Sequence, residues 1–117
     1  MSDKLIKIAT FNTDLNELLG MDLPAFSIYR SRGLVTHLIN RKHYIAVKYI
    51  DKIPSIIKYP DYVGYSDGRI EMVKRFKDNI FVSIKLDGKN NRYYVATMFE
   101  VKIGKLNHMS RQDVCER

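Results

Sequence analysis

From residue 62 onward, apolar and polar positions alternate in short runs: YVGYS (62–66), EMVKRF (71–76), NIFVSIKL (79–86) and RYYVATMFEV (92–101). Turn-forming clusters separate them, SDG at 66–68, KDN at 77–79 and DGKNN at 87–91. A period of two broken at such intervals predicts an antiparallel meander.

The first half has a different rhythm. KLIKIAT (4–10) alternates weakly, as a short strand would. Asn12 or Thr13 can cap a short helix through DLNELLG, which Gly20 ends. AFSIYR (25–30) reads as a strand or an extended entry. Ser31 then caps a helix over RGLVTHLINRKH, with Leu34, Leu38 and Val35 on its buried face. YIAVKYI (44–50) is open to two readings: its β-branched residues favour a strand, its apolar spacing a helix. The pattern favours helix over 45–58, with Pro54 in the first turn of a separate helix capped by Asp51. Helices first and strands second predict an α+β fold, with N-terminal helices packed on a C-terminal antiparallel sheet of about four strands.

The hairpin 79–101 is the best-defined element. A five-residue DGKNN loop pairs Leu86 with Arg92 and puts Ile80, Val82, Ile84, Leu86, Tyr94, Ala96 and Met98 on one face. The other face carries Phe81, Ser83, Lys85, Tyr93, Val95, Thr97 and Phe99, a mixture suited to ligand contact. A slip of one residue would exchange the faces of the second strand.

The 117 residues make one domain, 45% hydrophobic and 28% charged, a globular composition. A single cysteine, Cys115, excludes an internal disulfide and a cysteine-rich zinc site. The opening residues lack the apolar core of a signal peptide, and no run reaches the ~18–20 apolar residues of a membrane span. The expected location is cytoplasmic, in a host or a target cell, with no membrane partner. The net charge is +7, and residues 31–60 hold six basic groups against one acidic. A local basic excess of this kind suits a polyanion.

That excess surrounds HLINRKH (37–43), where two histidines flank an arginine and a lysine. The spacing matches no zinc motif, the carboxylates are scattered, and neither GxxxxGK[ST] nor GxGxxG occurs. General acid–base chemistry remains, and histidine suits it because imidazole titrates near neutrality. RNA cleavage needs a base for the 2′-OH, an acid for the leaving 5′ oxygen, and cations for the phosphoryl oxygens. His37, Arg41, His43, Lys85 and Arg111 supply those types. On a helix His37 and Arg41 share a face, so His37 is the first candidate for base or acid and Arg41 for the phosphate clamp. His43 joins as a second titrating group only if the helix ends near Lys42 and the chain turns. Each residue also has a plain reading: Arg41 and Lys42 are ordinary helix C-terminal cations, and Lys85 a solvated strand residue.

FSIYRSRGLVTHLINRKH, IPSIIKYPDYVGYS and DNIFVSIKLDGKNNRYYVATMFEV, in this order and spacing, resemble the phage-associated branch of the barnase/EndoU/colicin/RelE-like (BECR) nucleases. The similarity covers residues 26–112 and leaves 1–25 as an N-terminal extension of a single domain, 1–117. It implies helices followed by a four-stranded antiparallel sheet, and a metal-independent endoribonuclease of toxin type with no cofactor. It also implies a catalytic role for His37, His43 and Lys85, and phosphate or RNA binding by Arg41, Lys42, Thr97, Ser110 and Arg111. The segment MSRQD lacks the glycine of the family's Ser-Gly-Arg-like element. The expected partners are RNA and an acidic immunity or antitoxin protein. Two other readings stay open: a catalytically inactive nucleic-acid-binding or inhibitory protein of the same fold, and a basic protein-binding module.

Overall fold

The computed structural model describes residues 5–102 and the backbone of Ser110–Arg111. The strands are β1 (Leu5–Thr10), β2 (Ser27–Ser31), β3 (Tyr62–Ser66), β4 (Arg69–Arg75), β5 (Asn79–Asp87), β6 (Arg92–Glu100) and the two-residue β7 (Ser110–Arg111). The α-helices are α1 (Asn16–Leu19), α2 (Leu34–Asn40), α3 (Tyr44–Val47) and α4 (Ile53–Lys58). The strands form one sheet in the order β1-β2-β6-β5-β4-β3-β7.

The α+β class holds, with β3 to β6 as the meander. The sheet is larger than the four strands expected: six strands of five residues or more, with β7 added on β3. It is also not wholly antiparallel, because β2 lies parallel to β6 through Ser27–Arg92, Ile28–Tyr93 and Tyr29–Tyr94. Burial is the reason. Ile28 is fully covered, and Ile8 and Ala9 of β1 pack on the same core. Docking the β1–β2 hairpin on β6 hides those side chains and satisfies backbone groups together.

The helices cover one face. Leu34 and Leu38 of α2, Ala46 of α3, and Ile53, Ile56 and Ile57 of α4 meet Ile28, Val63, Ile70, Met72, Ile80, Val82, Ile84, Tyr93 and Met98. Phe11 and Leu15 join this core from the N-terminal segment. Truncating a fully buried residue such as Leu38 to alanine costs about 2–5 kcal/mol. On the opposite face Val73 and Phe81 form a smaller cluster with Tyr62, Phe99 and Val101.

Two helical expectations are revised. Helix α2 begins at Leu34, because the Ser31 hydroxyl accepts from the Gly33 N–H (2.9 Å) in a local turn rather than capping the helix. The stretch 45–58 is not one helix but α3, a 3₁₀ turn at Ile50–Lys52, and α4, whose first turn holds Pro54. Proline has no N–H to continue a helix across it. Lys52, not Asp51, stands at the α4 N-cap and makes no side-chain capping bond. Tyr49, between the pieces, stacks on Phe76 at 4.9 Å and donates to Asp78 at 2.9 Å, fastening the helical layer to the β4–β5 turn. Among the described residues no helix is long and apolar enough to cross a membrane.

Candidate active site on the open sheet face

The hairpin β5–β6 decides which side chains face away from the helices. Its observed pairs are Asp87–Arg92, Leu86–Tyr93, Lys85–Tyr94 and Ile84–Val95, then Ser83–Thr97, Val82–Met98, Phe81–Phe99 and Ile80–Glu100. The turn is therefore one residue shorter than DGKNN, and Leu86 does not pair with Arg92. Asp87 closes it, accepting from the Asn90 amide (2.9 Å) and from Arg92 Nε (3.2 Å), with Asn91 in the left-handed region. These contacts, the Asn90 bond foremost, hold the Asp87 carboxyl below the usual range.

The shift moves Tyr93 and Val95 to the core side and Tyr94 to the open side, the reverse of the expectation. Tyr93 is fully covered and donates to the Pro24 carbonyl, and burial pushes its phenol up to about 12. Ala96 is an extra residue on β6, a bulge that restores the original alternation beyond it. Thr97 consequently stands beside Ser83 on the open face.

Cross-strand pairing then builds three rows on that face. The first is Tyr62–Val73–Phe81–Phe99, an apolar and aromatic cluster in which Val73 and Phe81 are themselves buried. The second is Glu71–Ser83–Thr97, and the third Arg69–Lys85–Tyr94. Ser83 is 1% exposed and its Oγ has no hydrogen-bond partner. Arg69 and Lys85 are exposed and directly opposite each other. Like charges so placed repel, and an anion between them removes the repulsion.

Helix α2 ends beside this face. Lys42 adopts φ 62° and donates its N–H to the Ile39 carbonyl (3.0 Å), while the His43 N–H reaches the Leu38 carbonyl (2.8 Å). This pair of bonds is a Schellman stop with lysine in the left-handed position that glycine usually fills. It turns the chain so that the His43 ring packs on Phe99, 5.8 Å between centroids. Phe99 in turn stacks on Phe81 at 4.5 Å. His43 thus stands at the rim of the open face, two residues along β6 from the level of Thr97. It also lines a cavity of about 250 Å³ with Lys42, Tyr44 and Glu100.

His37 and Arg41 lie together on the exposed side of α2 and its end. His37 lines a separate cavity of about 270 Å³ with Ser31, Gly33, Leu34, Val95 and Ala96. The two histidines therefore border different stretches of β6. Lys85 and Thr97 share the open face but sit in adjacent rows. Ser110 and Arg111 pair by backbone with Val63 and Tyr62, and their side chains lie outside the described residues. Cys115 lies outside them altogether.

Glu71 and Arg69 were not singled out from sequence, and Ser83 was named only as part of the ligand-facing side of the hairpin. Alternation of EMVKRF against NIFVSIKL about the KDN turn carries the signal, since it puts Glu71 on the side of Ser83 and Lys85. Among the described residues no group of three or more His, Cys, Asp or Glu side chains is gathered as a metal would require.

This sheet face therefore brings a carboxylate, hydroxyls and cations together in neighbouring rows, with an imidazole at its rim. The profile of the phage-Barnase-EndoU-ColicinE5/D-RelE like nuclease3 family matches residues 6–108, and the chain belongs to that nuclease family. No curated protein and no solved structure matches it.

Proposed function

We propose that the protein is an endoribonuclease cleaving RNA by attack of a 2′-OH on the adjacent phosphate. The observation that carries this reading is the opposed pair Arg69 and Lys85, one row from Glu71, Ser83 and Thr97, on a face rimmed by His43. A scissile phosphate between Arg69 and Lys85 relieves their repulsion, and both cations stabilise the charge that grows on the phosphoryl oxygens. The Glu71 carboxylate takes the 2′-OH proton and the His43 imidazole gives one to the leaving 5′ oxygen. Thr97 donates to a phosphoryl oxygen. His37, Arg41 and Lys42, on the exposed end of α2, hold flanking phosphate, with His37 as the alternative proton carrier. The chemistry calls on no metal.

Such an enzyme acts where RNA is abundant, in the cytoplasm of a host or target cell, and would be toxic there. The same cationic face would draw an acidic inhibitor protein, with electrostatic steering speeding the association.

The test is incubation of purified protein with total RNA in EDTA, followed by end-group analysis. Fragments ending in 2′,3′-cyclic phosphate support the reading. Salt-dependent binding without turnover would show a nucleic-acid-binding protein instead, and indifference to RNA would leave a protein-binding module.

A further inference from the structure

The third row of the open face does not stop at the meander. Through the parallel β2–β6 contact it continues from Tyr94 to Tyr29, and through the β1–β2 hairpin from Tyr29 to Lys7. The complete register reads Lys7–Tyr29–Tyr94–Lys85–Arg69 across five strands. Neighbouring strands lie about 4.8 Å apart, so the row spans about 19 Å. Lys7, Lys85 and Arg69 are exposed, and both tyrosines are partly exposed. Arg92 adds a fourth cation, its guanidinium 5.9 Å from the Tyr29 ring centroid. Arg92 is itself ion-paired through Nε with Asp87 (3.2 Å), which also accepts from Asn90.

We infer that the β1–β2 hairpin extends the proposed site into a track for single-stranded RNA, Tyr29 and Tyr94 stacking on successive bases while Lys7 and Arg92 take the phosphates beyond the one held at Lys85 and Arg69. The inference rests on the nuclease reading for its substrate but not on turnover. Two observations select a single strand over an acidic protein. The tyrosines are adjacent in the middle of the row with cations on both sides, a stacking platform for bases between groups that can take phosphates. The tyrosines also keep part of their surface exposed although core lies directly behind them, at Ile28 and Tyr93. The length fits the shorter single-strand sites of roughly four nucleotides. An A-form duplex would offer its bases to neither tyrosine.

The experiment measures binding by fluorescence anisotropy, using a labelled 2′-O-methyl octanucleotide and a matching dinucleotide. Neither probe can undergo 2′-OH attack, so binding is read without cleavage. Tyr29→Leu should weaken octamer binding roughly tenfold, within the range for one lost base stack, and leave the dinucleotide unchanged. Tyr29→Phe, which keeps the ring, should bind as the wild type does. Lys7→Gln should lower the slope of log affinity against log salt by about 0.7, one phosphate contact on a single strand. Melting temperatures of the variants identify any loss due to unfolding, and Tyr29→Phe separates the two causes. Octamer binding unaffected by Tyr29→Leu and Lys7→Gln overturns the track, even if the protein cleaves RNA. Equal displacement of the octamer by polyglutamate in the wild type and in Tyr29→Leu overturns it too, because charge alone would then define the surface. If RNA stays intact while octamer binding follows the variants, the track stands and the nuclease reading fails.

Discussion

The ring of His43 lies 5.8 Å from that of Phe99, at the border of the open sheet face, whereas His37, six residues earlier, borders β6 at Val95 and Ala96. The two histidines of one short segment are thus separated by the helix stop between them. His43→Ala should reduce RNA cleavage by about 10²–10⁴-fold, the usual range for a lost proton carrier, with a melting temperature close to wild type. Steady-state cleavage of a dinucleotide checks this. If His37→Ala shows that loss and His43→Ala does not, the proton is carried from the helix rather than from the rim.

Lys42 sits at φ 62°, where a side chain other than glycine is strained by about 1–2 kcal/mol. Lys42→Gly should therefore raise the unfolding free energy by about 1 kcal/mol in a urea titration. If Lys42 holds phosphate, the same variant binds RNA more weakly. A variant that is more stable and less active would show that the strained lysine is kept for its charge.

Arg69 and Lys85 repel one another in the absence of ligand. Lys85→Ala should leave stability unchanged or raise it by a few tenths of a kcal/mol at low salt, while cleavage falls by about 10²-fold or more. Phosphate should raise the melting temperature of the wild type more than that of Lys85→Ala. Thermal scans with and without phosphate decide it.

Tyr93, pushed up to about 12 by burial, links stability to alkaline pH. The folded chain holds its phenol proton more tightly than the unfolded one, whose tyrosines titrate near 10. The stabilisation is complete below about 10 and is lost as pH rises through about 12. Tyr93→Phe should flatten that alkaline loss. At neutral pH it should cost about 1 kcal/mol, because the Pro24 carbonyl loses its donor.

Asp87 works at the other end of the scale. Its depressed carboxyl, held by Asn90 and Arg92, favours the folded turn above the unfolded value of about 3.9. That support fades as pH falls through the lower folded value. Amide exchange at residues 88–92 should accelerate there, and Asp87→Asn should show fast exchange at every pH.

Much of the architecture was legible as local pattern. Leu34 and Leu38 marked the buried stripe of α2, and the turn clusters marked the meander. Asp67 and Gly68, at φ 53° and 77°, form the two-residue turn that an Asp-Gly pair foretells. These signals are short-range: a period of two or of 3.6 is written into neighbouring residues and survives any packing that buries one face. Three features were decided only by tertiary structure. The bulge at Ala96 returned Thr97 to the side of Ser83, while the shorter turn sent Tyr93 inward and Tyr94 outward. The β1–β2 hairpin joined the meander through a parallel contact that no local pattern encodes. Lys42 took a glycine's place and swung His43 toward Phe99. The turn at Asp87 and the stop at Lys42 are closed by local bonds, but where they send Tyr93 and His43 is set by residues far apart in the chain. Tyr93 is buried with Ile28 in a shared core, and His43 packs on Phe99.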